Sequence, residues 1–171
     1  MSLIWLKSKA SMTTQSSWTV PVTALAETQA LGARIAEALT AGDVVLLRGE
    51  LGAGKTELAR AVVRARMGHD CEVPSPTFTL VQHYETPGLL LAHADLYRVK
   101  DPSELAELGL DEVLETGALL VEWPERAAGH WPQSRLEVAL SLRNDTRLAA
   151  LTGHGAWADR LIALKTHNNN A

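Results

Sequence analysis

Residues 49–56 read Gly49-Glu50-Leu51-Gly52-Ala53-Gly54-Lys55-Thr56 and match G-x-x-x-x-G-K-[ST] at every fixed position. No other feature narrows the fold as much, because the pattern requires a strand before it and a helix after it. The sequence offers both. Val44-Val45-Leu46-Leu47 is a short apolar run that fits a strand buried on both faces of a largely parallel sheet. Glu57 to Met67 carries Leu58, Val62 and Val63 at helical spacing, and Gly68 stands where a left-handed terminating residue is needed. From average residue frequencies, a chance match in a chain of this length is on the order of 1 in 200.

The residue types in the turn have a physical reading. Glycines let the backbone curl until successive N–H groups face inward, and the helix that follows adds its positive end, so residues 50–56 are expected to cradle phosphate oxygens. Lys55 is expected to reach the β- and γ-phosphates, and the Thr56 hydroxyl to complete the shell of a Mg²⁺ ion. An acid at the end of a neighbouring strand is then required. Asp95 follows Leu89–Ala94 and Glu122 follows Ala118–Val121, and either fits that place. No Asn-Lys-x-Asp segment for reading guanine occurs, so ATP is expected rather than GTP. Trp123, next to Glu122, either shields the phosphate site, docks a partner or is a packing residue. His93 has no metal-ligand spacing with another His or Cys.

Around this centre the chain reads as strands alternating with helices. Leu31, Ile35 and Leu39 mark a helix over residues 25–39, with Thr23 as a candidate cap and Gly42 beyond its end. Cys71–Pro76 is an extended loop, Thr77–Tyr84 a strand, and Leu89–Ala94 another. Asp101-Pro102-Ser103-Glu104 starts a helical stretch that runs to Thr116 and breaks near Gly109. Two late strands, 136–142 and 147–152, flank the turn residues Asn144-Asp145, and Trp157, Leu161 and Leu164 outline a last helix. The expectation is an α/β fold: a single P-loop NTPase-like domain whose mixed, mainly parallel sheet is flanked by helices. Its span is 21–165, between a flexible N-terminal extension (1–20) and a flexible tail (166–171).

Composition excludes several classes. A 46% apolar and 21% charged chain of 171 residues is an ordinary globular domain. A formal charge of −4 gives no basic field for gripping nucleic acid unaided, so any RNA it serves is expected to be held by a partner. Cys71 is the only cysteine, which rules out an internal disulfide and suits a reducing cytoplasm. No apolar stretch reaches the ~18 residues of a membrane span, and the opening segment has too short an apolar run for a signal peptide.

Four segments in order, GELGAGKT, SPTFTLVQHYE at Ser75–Glu85, HADLYR at His93–Arg98 and VEWPE at Val121–Glu125, together resemble the TsaE (YjeE) family. The resemblance covers roughly Leu25 to Thr152. It implies a small α/β ATPase required for threonylcarbamoyladenosine modification of tRNA beside the anticodon. It also implies work with two partners, a TsaD-like transferase and its TsaB-like companion, with tRNA reached through that complex. By resemblance, Thr77 lies in a switch-like loop, Asp95 is a magnesium-side acid, and Glu122 positions the attacking water with Trp123 beside it.

Two other readings stay open on sequence. A free-standing small-molecule kinase needs an arginine-rich lid, and after Glu122 the candidates for one are Arg126, Arg135, Arg143 and Arg147, the last three in or beside predicted strands. An ATP-bound regulatory module with little hydrolysis is the other. No arginine finger in the same chain is identifiable, and Arg98 is the candidate to test.

Overall fold

In a computed structural model, residues 14–166 are described. Among the described residues seven strands form one sheet: β1 (Gln15–Pro21), β2 (Val44–Arg48), β3 (Val81–Thr86), β4 (Leu89–Asp95), β5 (Gly117–Glu122), β6 (Arg135–Arg143) and β7 (Thr146–His154). Their order across the sheet is β1-β7-β6-β2-β5-β4-β3. The four central strands, β6, β2, β5 and β4, run parallel, while β3 and the β7-β1 pair add antiparallel edges. The expected mixed, mainly parallel sheet is therefore present, with the strand before the glycine turn at its centre.

β2 shows why an unbroken apolar run suits that centre. Val45 and Leu47 enter one core with Leu31 and Ile35 of α1 (Leu25–Ala38), Leu58 and Val62 of α2 (Lys55–Met67), and Trp157 and Leu161 of α4 (Ala156–Thr166). Val44 and Leu46 enter a second core on the opposite face, with Leu110 and Val113 of α3 (Leu110–Thr116) and Leu105 of the 3₁₀ turn Pro102–Leu108. α1 and α2 approach so closely that a Cβ on Gly32 would lie 2.4 Å from the Ala61 Cβ. Only glycine fits there.

Several local expectations are refined. The 101–116 stretch is a 3₁₀ turn followed by α3, divided at Gly109 (φ 66°), and its Asp101 cap accepts from the Ser103 N–H at 2.9 Å. α1 is capped at Ala24, whose N–H donates to Glu27 at 2.8 Å, while the Thr23 hydroxyl instead accepts the Arg147 N–H. The strand expected from Thr77 starts at Val81. Residues before it turn back through Leu80, whose N–H donates to the Pro76 carbonyl and whose φ is 63°.

One boundary is corrected. Residues 15–20, expected in a flexible extension, form most of β1 and pair with β7. The segment is polar because it is an edge strand with one covered face, on which Trp18 is buried and carries the Arg34 guanidinium 5.8 Å from its ring centroid. Of the expected termini, residues 1–13 and 167–171 lie outside the described residues. α4 continues to Thr166.

Candidate nucleotide site

β2 ends at Arg48, the loop 49–54 crosses over its C-terminal end, and α2 begins at Lys55. Three glycines have positive φ in that loop, Gly49 (143°), Gly52 (79°) and Gly54 (106°), conformations that side chains resist. This explains the sequence pattern. The curl leaves the N-terminal amides of α2 open and its positive end facing the loop.

Lys55 is nearly buried, and its amine donates to the carbonyls of Gly49 at 2.6 Å and Glu50 at 2.8 Å. It also lies 4.2 Å from the Trp123 ring centroid. Among the described residues no carboxylate is ion-paired with it. Burial lowers its pKa, and the charges of Glu122, Glu125 and Asp95 oppose that shift. An ammonium held only by neutral carbonyls can exchange them for phosphate oxygens at small cost.

The two acids stand on adjacent strand ends, Asp95 opposite Glu122 in the β4–β5 register, and Glu122 opposite Leu47 in the β2–β5 register. Glu122 is 2% exposed and joined on both oxygens: Oε2 accepts from the Thr56 hydroxyl at 2.9 Å, and Oε1 lies 2.7 Å from His93 Nε2. His93 is itself fully buried, and its Nδ1 has no partner. Asp95 Oδ1 accepts from the Tyr97 N–H at 3.0 Å. Burial raises the Asp95 pKa; the Tyr97 N–H counters this, the Glu122 charge adds to it, and His93 and Lys55 lower it again.

Trp123 follows with φ 57°, a left-handed conformation unusual for a bulky side chain, and its ring sits 5.0 Å from that of Tyr97. That turn sets the indole over Lys55. Thr77 stands apart: its hydroxyl is 2.8 Å from that of Ser75 and bonds to none of Lys55, Thr56, Asp95 or Glu122. The Thr77 segment is tied to the site through the backbone, where the Asp95 N–H donates to the Leu80 carbonyl at 2.9 Å. Arg98 lies over Phe78, 4.7 Å from its ring centroid, rather than at the loop.

The sequence-level candidates thus converge, except for Thr77 and Arg98. Two residues were missed. His93, weighed only as a metal ligand, is the partner of Glu122, and the signal was its place two residues before Asp95 on one strand face. Arg147, read as a strand residue, places its guanidinium against Gly54. No sequence signal marked it.

Among the described residues no three His, Cys, Asp or Glu side chains form a cluster able to hold a metal by themselves. The donor set fits Mg²⁺ nonetheless, because such sites take one or two protein oxygens and complete the shell with phosphates and water. Among the described residues no helix is long and apolar enough to cross a membrane.

The model of the family described as threonylcarbamoyl adenosine biosynthesis protein TsaE matches residues 22–149. The chain belongs to the TsaE family. Similar family members include a Rickettsia bellii protein, 40% identical over 71% of this chain and 84% of its own, and a Mycobacterium bovis protein, 40% identical over 84% and 90%. Both bear the name tRNA threonylcarbamoyladenosine biosynthesis protein TsaE. Bacillus subtilis YdiB has the same fold in its crystal structure, with a TM-score of 0.74, 31% identity, and coverage of 92% of this chain and 98% of that one. The matched region contains the glycine loop, both acids, His93 and Trp123 of this TsaE-family chain.

Proposed function

We propose that the protein binds ATP with Mg²⁺ on residues 50–56 and hydrolyses it to ADP and phosphate, as a cytoplasmic accessory protein in threonylcarbamoyladenosine modification of tRNA. It acts with a TsaD-like transferase and its TsaB-like companion, which hold the tRNA. The observation that carries this reading is the line from Thr56 through Glu122 to His93, set beside a glycine loop with an unpaired lysine.

The backbone amides of Leu51 to Thr56 receive the phosphate oxygens, and Lys55 leaves its two carbonyls to pair with the β- and γ-phosphates. Thr56 and Glu122 hold the metal side, since these two already share a hydrogen bond. A Mg²⁺ ion held by Thr56 and Glu122 would supply positive charge against that of the transferring phosphate. Asp95, one strand further out, then stands at the water side. This exchanges the roles that the family resemblance gave the two acids, which stand opposite each other on adjacent strand ends. Water adds to the γ-phosphorus as the bond to the bridging oxygen breaks, and ADP leaves. Trp123 covers Lys55 and restricts bulk water. Thr77 joins only if the turn around Leu80 rearranges, which makes the 75–80 segment the element that nucleotide state switches.

ATP hydrolysis measured for the chain alone and with the transferase pair tests this, with Lys55→Ala and Glu122→Ala as controls. Stimulation by the pair that both variants abolish is expected. ATP bound without turnover under either condition would replace the ATPase by a nucleotide-bound regulatory module.

A further inference from the structure

The 75–80 segment is anchored at both ends. At the far end the Leu80 carbonyl accepts the Asp95 N–H at 2.9 Å, which ties it to β4. At the near end Val73 is 2% exposed and packs in the same core as Leu58 and Val62 of α2. The run between these two posts faces outward: Phe78 is 84% exposed, and the Thr77 hydroxyl meets that of Ser75.

Two arginines of α2 build the near post. Arg60 Nε donates to the Val73 carbonyl at 2.8 Å, and Arg64 Nε to the Cys71 carbonyl at 3.0 Å, from successive turns of one helix face. That face begins at Thr56, four residues before Arg60, in the turn that carries Lys55. The two arginines differ in their second contact. Arg64 meets the exposed Asp70 within the same loop, whereas Arg60 Nη1 lies 3.4 Å from Glu57 Oε2, beside Thr56. A guanidinium holds a carboxylate with one N–H and a carbonyl with another in a fixed plane, so Arg60 gives the Val73 carbonyl a direction relative to the first turn of α2. The apolar packing of Val73 fixes its side chain and gives no such direction.

Chain length sets what the post does. With Val73 and Leu80 both held, Thr77 stays within about 14 Å of one and about 11 Å of the other even at full extension. Without the arginine bonds the unanchored run reaches back to Gly68 at the end of α2 and nearly doubles in length. Doubling a loop lowers the population of any one closed arrangement about threefold. We infer that Arg60 is a positioning residue: through the Val73 carbonyl it sets where the chain leaves the core, and so how often Thr77 meets the γ-phosphate end of a nucleotide on residues 50–56. This rests on the nucleotide-dependent switch proposed above.

Calorimetric ATP affinity, single-turnover hydrolysis and hydrogen exchange over residues 71–80 test it, in the wild type, Arg60→Met, Arg60→Lys, Thr77→Ala and the Arg60→Met/Thr77→Ala double variant. Arg60→Met keeps the packed stem and removes the donors, and is expected to slow hydrolysis about threefold or more with ATP affinity within twofold of wild type. Arg60→Lys, which keeps a donor, should recover part of that loss. In the Thr77→Ala background Arg60→Met should have no further effect, because the two act on one step. Nucleotide should change exchange over 74–79 alone in the wild type, and over 71–79 in Arg60→Met. The same slowing with and without Thr77 would overturn the assignment and make Arg60 merely structural, as would an equal loss of affinity and rate. A nucleotide response that already covers 71–73 in the wild type would also overturn it. Wild-type turnover in Thr77→Ala would remove the switch and this inference with it, leaving the ATPase in place, whereas a wild type that binds no ATP would remove the nucleotide function itself.

Discussion

The Thr56 hydroxyl donates to Glu122 Oε2 at 2.9 Å, so the first turn of α2 and the end of β5 are already joined at the place where the proposed function needs a metal. Thr56→Ala leaves that buried oxygen without its donor and removes the proposed metal ligand. We expect half-saturation of ATPase activity by Mg²⁺ to move up by about 10–100-fold in Thr56→Ala, as for the loss of a ligand or its partner in other metal sites. Thr56→Ser should stay within a few-fold of wild type. A Mg²⁺ titration of turnover reads both.

His93 acts on the same carboxylate from behind. With Nε2 at 2.7 Å from Oε1, it fixes the rotation of Glu122 and so aims Oε2 at Thr56. His93→Leu is expected to lower turnover by about 10–100-fold, with ATP affinity nearly unchanged. His93→Gln, which keeps a donor near the Nε2 position, should recover part of the loss. Separate measurement of ATP affinity and single-turnover rate distinguishes this positioning from a loss of folded protein.

The glycine loop, β2, α2 and both acids were legible because each rests on local rules: spacing in the motif, an apolar run, and an acid closing a strand. His93 and Arg147 were not, since their roles depend on strands that meet only in the folded sheet. β1 was hidden for a related reason: a polar edge strand with one buried Trp18 carries almost no period-two signal. The turn at Leu80 replaced the start of an expected strand because the Pro76 carbonyl captures its N–H, a bond that composition does not announce.

Asp95 gives a pH prediction whose sign follows from burial. Its pKa is raised in the folded protein, so between the ordinary aspartate value and that raised value the native state binds more protons than the unfolded one. Its contribution to stability therefore falls as pH rises through that window. Asp95→Asn keeps an oxygen for the Tyr97 N–H and removes the charge. Without nucleotide, the variant should melt above the wild type at neutral pH, and the gap should close as pH is lowered below the usual carboxylate range. Equal melting temperatures at all pH values would contradict the assignment.

The last prediction separates stability from the site. Asp43, 6% exposed and one residue before β2, receives both arms of the Arg160 guanidinium, with Nη2 to Oδ1 at 2.8 Å, and also accepts the Thr40 N–H at 2.7 Å. Arg160 is held in turn by the Ala38 carbonyl at 2.9 Å and by the Trp157 ring, 4.2 Å from its centroid. Asp43→Ala thus strands a partly buried guanidinium and an orphaned N–H together, which is expected to cost about 3 kcal/mol. Urea unfolding should show the midpoint lowered with an unchanged slope. The pair lies at the N-terminal end of β2 and the glycine loop at the other, so the folded variant should bind ATP as the wild type does. A loss of affinity beyond about twofold in the still-folded fraction would show that the strand transmits the change to the loop.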